Sequence, residues 1–71
     1  MIIEYATPAD FDRWRSHAET LDVGALRHII MDCRQAAANM RSFNTVREGF
    51  YEDQAFTYAD ELARRRVPFK N

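Results

Sequence analysis

Seventy-one residues make one small domain, which buries only about 60% of the surface its unfolded chain exposes, so stability must come from regular helix packing, self-association, a disulfide or a metal. Cys33 is the sole cysteine, which excludes an intrachain disulfide, and His17, His28 and Cys33 are scattered singly instead of at the close spacing of a zinc site. Ten basic residues against eleven acidic ones leave a net charge of -1, without the basic excess of non-specific nucleic-acid or membrane-surface binders.

The chain opens on "MIIEY", an apolar stretch too short for a signal-peptide core and with no basic residues before it. No later apolar run approaches the roughly 18 residues of a membrane span. The expectation is a cytoplasmic protein with no membrane contact. The first helix signal is "TPAD": Thr7 caps, Pro8 takes the first helical position, where a missing N–H costs nothing, and Asp10 puts a negative charge in the first turn. Phe11, Trp14, Ala18 and Leu21 follow at spacings of three and four, which predicts an amphipathic helix over about 8–21.

"LDVG" breaks that pattern, and Asp22 is the expected N-cap of a second helix despite Gly24, a helix-weakening residue. Val23, Leu26, Ile30, Cys33, Ala37 and Met40 repeat at three-four spacing without a slip, the strongest periodic signal in the chain. Helix two, about 23–43, is therefore the spine. Ile29, Ala36 and Phe43 widen its stripe, as expected where a helix touches two neighbours, and Ala36, Ala37 and Ala38 let a neighbouring backbone come close. "SFNT" interrupts again, and Thr45 followed by Glu48 has the form of a capping box. Helix three is predicted over about 46–66, with Glu61–Arg65 and Asp60–Arg64 as i,i+4 pairs and Pro68 ending it. The sum is a single all-α domain, 1–71, built as a three-helix bundle with short extended tails.

Helix three carries Phe50, Tyr51, Phe56 and Tyr58 within "GFYEDQAFTYADEL", yet these rings do not share a face. At about 100° per residue, Tyr51, Ala55, Tyr58 and Leu62 turn inward; Phe50 lies about 100° from Tyr51 on one flank and Phe56 about 140° on the other, with Val46 nearer Phe50. A helix apolar around most of its circumference is buried on more than one side. Two readings follow. In one, the tail residues Ile2, Ile3, Tyr5, Val67 and Phe69 fold back over the flanks. In the other, Phe50, Phe56, Val46 and Phe43 form a contact surface for a second copy or for another protein, since aromatics are enriched in interface cores.

Arg27, Arg34 and Arg41 recur every seven residues on helix two, about 10 Å apart, and are the candidate anion or nucleic-acid contacts. Helix three carries five acidic residues between Val46 and Ala63 against the single Arg47, so the row is also suited to facing its own chain's Glu52 and Glu61. A helix-turn-helix reading of "LDVG" is disfavoured because helix two is long and leaves no short exposed recognition face. His28 and Asp32 are an i,i+4 surface pair, and Cys33 lies in the apolar register, where a thiol behaves as a small hydrophobe. There is no glycine-rich phosphate loop and no paired catalytic carboxylates, so the expectation is no enzyme, no cofactor and no metal.

The stretch from Ala36 to Arg66, with "AANMR", "FN", "EGFYEDQ" and "YADELARRR", resembles short reading frames of temperate phages and prophages. The resemblance implies a small accessory or inhibitor protein that binds a host protein, anti-CRISPR proteins being one such group. It brings no catalytic residue. The expected function is thus a non-enzymatic protein–protein interaction module, self-associating as a homodimer, with a nucleic-acid-binding regulator using the Arg row as the alternative.

Overall fold

A computed structural model describes residues 5–65. They form three helices, α1 (Pro8–Glu19), α2 (Val23–Met40) and α3 (Thr45–Arg64), and no strand occurs among the described residues. The architecture is the expected all-α three-helix bundle. The tail coverage considered above, from Ile2, Ile3, Val67 and Phe69, lies outside the described residues, whereas Tyr5 is exposed.

Each helix start is fixed by a side chain that satisfies an orphan backbone donor. At α1, Thr7 Oγ1 accepts from the Asp10 N–H at 3.2 Å and Asp10 Oδ2 accepts from the Thr7 N–H at 3.0 Å, a complete capping box. At α2, Asp22 Oδ1 accepts from the Ala25 N–H at 2.8 Å. At α3 the expectation is corrected: Asn44, not Thr45, is the cap, its Oδ1 accepting from the Arg47 N–H at 3.0 Å. Thr45 becomes the first helical residue, and the Glu48 carboxylate is drawn across the turn to Arg41 Nε at 3.3 Å instead of closing a capping box.

Helix α2 ends at Met40, three residues before the predicted end. The Met40 carbonyl accepts from both Phe43 and Asn44, at 3.0 and 2.8 Å, which turns the chain off the helix axis. Phe43 consequently leaves the apolar stripe and is 77% exposed. Residues 41–44 are so short a link that α2 and α3 pack as antiparallel neighbours. Helix α1 lies against α3, beyond a three-residue link to α2.

The core gathers Trp14 and Ala18 from α1, Leu26, Ile30 and Cys33 from α2, and Ala55, Tyr58 and Leu62 from α3, with Phe11, Leu21, Val23, Ile29 and Phe50 packed around them. Ala37 is buried as well, and with Ala55 facing the same groove it lets α2 and α3 approach closely. Two polar residues unexpectedly join the buried face of α3, Thr57 and Glu61, whereas Tyr51 is only partly buried. Thr57 donates its hydroxyl to the Asp53 carbonyl at 2.8 Å, satisfying itself within the helix. Glu61 binds Arg64 and, at 2.7 Å, Arg65 Nε. Arg65 also donates to the Ala18 carbonyl at 3.1 Å, so one guanidinium ties the end of α3 to α1. Arg64 reaches Glu61 and, at 3.8 Å, Glu19; the predicted Asp60–Arg64 pair does not form, because Arg64 is drawn to the α1 side.

Candidate functional site

The four rings of α3 divide between core, sheltered flank and surface. Tyr58 is 2% exposed, and its hydroxyl lies 2.8 Å from His17 Nδ1 on α1. Phe50 meets the edge of Trp14 at 5.3 Å and 85°, and Trp14 in turn meets Phe11 at 5.4 Å and 79°. Arg47 covers what remains, its guanidinium 5.8 Å from the Phe50 ring and 5.4 Å from the Tyr51 ring, with a 3.2 Å hydrogen bond to the Tyr51 hydroxyl. The Phe50 flank is therefore closed by α1 of its own chain, and Phe50 packs in the fold, not on a free surface.

Phe56 is 72% exposed. Two residues before Tyr58, it points about 160° away from it and forms a ridge between two grooves. The larger, about 420 Å³, lies between α2 and α3 and is lined by Arg34, Ala37, Arg41, Glu52, Ala55 and Phe56. The other, about 320 Å³, lies between α3 and α1, where Phe11, Arg15, Asp53, Thr57 and Asp60 join Phe56. The structure thus brings together two residue sets that the sequence kept apart, Phe56 and two members of the arginine row. Phe43 and Val46 do not join them; Val46 precedes Phe56 by ten residues, about 15 Å along the helix axis.

The arginine row is not uniform. Arg41 is held by Glu48, while Arg27 is exposed and has a partner of its own. Among the described residues Arg34 makes no ion pair, and neither do Glu52, Asp53 or Asp60. Glu61 binds Arg64 and Arg65, so the row meets neither of the acids expected to face it: Glu48 holds Arg41, and Glu52 lines the same groove without pairing. The ridge therefore carries unpaired charge of both signs: Arg34 and Glu52 on the α2 side, Asp53 and Asp60 on the α1 side.

Other titratable groups serve the fold. Burial pushes the Cys33 thiol up, with the Asp32 charge adding to it, the opposite of what a reactive thiolate requires. Burial, then the neighbouring Cys33, raises the Tyr58 hydroxyl above its ordinary range. His28 and Asp32 are paired at 3.4 Å on an exposed face. The His17–Tyr58 bond went unrecognised in the sequence because His17 sits one position before Ala18 in the α1 stripe, and nothing in the spacing marks which α3 residue it meets. No group of three His, Cys, Asp or Glu side chains among the described residues is placed to hold a metal, and no described helix is long and apolar enough to cross a membrane. Comparison with protein-family models, with curated proteins and with solved structures finds no match.

Proposed function

We propose that this chain is a small non-enzymatic protein-contact module, working in the cytoplasm through the ridge formed by Phe56 and the two grooves beside it. The accessory or inhibitor proteins of temperate phages and prophages, which act by binding a host protein, are the functional class to which we assign it, on the resemblance of Ala36–Arg66 to such reading frames. The observation that carries the contact reading is Phe56 itself. A large aromatic 72% exposed in the second half of a long helix, beside a groove floored by Ala37 and Ala55, offers the apolar centre and charged rim of a protein interface. Single exposed apolar residues are common on monomers; here the ring is bordered by cavities on both sides.

The alternative, a nucleic-acid-binding regulator, draws on Arg34, whose cation is unpaired among the described residues. Glu48 on Arg41 and Glu52 in the same groove oppose it, since phosphates would meet carboxylates beside the arginines. The test places a photo-crosslinking phenylalanine analogue at position 56 and, as a control, at exposed position 31, in the native host. Protein adducts concentrated at position 56 are expected. Adducts no more abundant than at position 31 refute the contact reading, and binding to duplex DNA that falls steeply with salt favours the alternative.

A further inference from the structure

We infer that the occupant of the α2/α3 groove is a second copy of this chain, each protomer placing its Phe56 in the groove of the other. The inference rests on the proposed protein-contact reading and names its partner. Three features of the ridge point to self-recognition. First, knob and hole lie side by side on one surface: Phe56 projects from α3, and the 420 Å³ groove opens next to it toward α2. A cavity of about 150 Å³ already holds a benzene ring, so the groove has room for a phenyl group. Second, both lie at the same height along α3, since Glu52, Ala55 and Phe56 line the groove. A two-fold axis running parallel to α3, between the ridge and the groove, therefore puts each knob into its partner's hole in one operation, the reciprocal contact that an isologous dimer requires.

Third, the same operation matches the charges. On the far side of the knob stand Asp53 and Asp60; on the far side of the groove stands Arg34. None of the three makes an ion pair among the described residues. With the axis along α3, Asp53 and Asp60 of one protomer come over the Arg34 side of the other, twice per dimer. An axis perpendicular to α3 would instead set Arg34 against Arg34. The two Asp–Arg34 contacts favour this dimer geometry, with the two α3 helices running in the same direction; Glu52, which also lines the groove, is the one unpaired acid among the described residues that the contact brings toward its own copy.

The test uses charge reversal on exposed residues that make no ion pair within the protomer among the described residues. Three proteins are prepared: the wild type, Arg34→Glu, and the double variant Asp53→Arg with Asp60→Arg. Circular dichroism checks the fold of each, and light scattering reads the mass from about 1 μM to about 1 mM, a span that covers weak and tight association. The wild type is expected to rise from 8.4 kDa toward twice that mass. Each variant alone places like charges opposite each other at both contacts and is expected to stay monomeric. Mixed in equal amounts, the two variants regain both attractive contacts and are expected to form a dimer. A wild type that remains at 8.4 kDa throughout, or folded variants whose mixture does not associate, overturns the inference. A wild type that stays monomeric leaves the contact reading standing, since adducts at position 56 to a different protein in the host would still support it; adducts only between copies of this chain are what the inference expects.

Discussion

Phe50 and Phe56 occupy the same helix six residues apart, and the structure gives them opposite roles that one substitution separates. Truncating a fully buried Phe to Ala costs about 3–5 kcal/mol. Phe50 is partly buried, so about half of that applies, and losing its edge-on pair with Trp14 adds about 0.5–1.5 kcal/mol. Alanine returns about 0.5 kcal/mol of helix propensity. The net for Phe50→Ala is a loss of roughly 2.5 kcal/mol, which in a domain of this size lowers Tm by roughly 10–20 °C. Phe56 shelters only about a quarter of its surface, worth about 1 kcal/mol, and the same propensity gain offsets half of it. Phe56→Ala is therefore expected to shift Tm by less than about 4 °C. Thermal melts followed by circular dichroism, run at a dilution where the chain is monomeric, make the comparison. Equal shifts for the two variants, or a larger one for Phe56→Ala, would refute the division of the α3 aromatics between fold and surface.

The remaining expectations concern helix ends, backbone and pH. Asn44→Ala is expected to cost about 1 kcal/mol and Thr45→Ala far less, read from urea unfolding midpoints; the reverse order would return the α3 cap to Thr45. A methyl group at Gly49 meets nothing within 4 Å, so Gly49→Ala should stabilise by about 1 kcal/mol and raise Tm by several degrees, and a fall would show the site more crowded than it is here. Asp10 is held below the usual carboxylate range by its hydrogen bond with the Thr7 backbone and then by Arg13, and Glu61 by its bonds from Arg65 and Arg64. Because folding depresses both, their stabilisation is complete above the ordinary carboxylate pKa and is lost as pH falls through the depressed values. Acid titration of the double variant Asp10→Asn with Glu61→Gln should accordingly show a flatter decline than the wild type, and parallel curves would disprove the linkage. Cys33, buried with its thiol pushed up, is expected to react with a thiol reagent in the native state only as fast as the protein opens; immediate reaction would contradict its burial.

The helix count, the first two caps and the core stripe of α2 were legible because each rests on local chemistry. Thr7 with Asp10 and Asp22 with Ala25 need only three residues of backbone to reach their partners, and the period of Val23 to Met40 is a property of one helix. The α3 cap was misread because Asn44 and Thr45 are adjacent acceptors: Asn44 takes the Arg47 N–H, and Glu48, the expected capping-box partner of Thr45, turns to Arg41 across the hairpin. The burial of Glu61 was hidden for the same kind of reason, whereas Thr57 finds its partner, the Asp53 carbonyl, within its own helix and owes its burial to the packing of α1 on α3. Polar side chains enter a helix–helix seam only where partners exist, and Glu61's second cation, Arg65, is anchored on the Ala18 carbonyl, 47 residues away in the chain.

The sequence by itself determined that α3 carries more apolar circumference than one face can use, because angular position on a helix follows from residue number alone. Only the tertiary structure decided which flank is sheltered. Trp14 reaches Phe50 because α1 docks on that side of α3, whereas Phe56 faces away from the core and stays exposed. The placement of Arg34 and Phe56 around one groove was likewise a tertiary outcome: it depends on the register of α2 against α3, which is set by packing at Ala37 and Ala55 and by the turn at residues 41–44, not by the spacing of either helix.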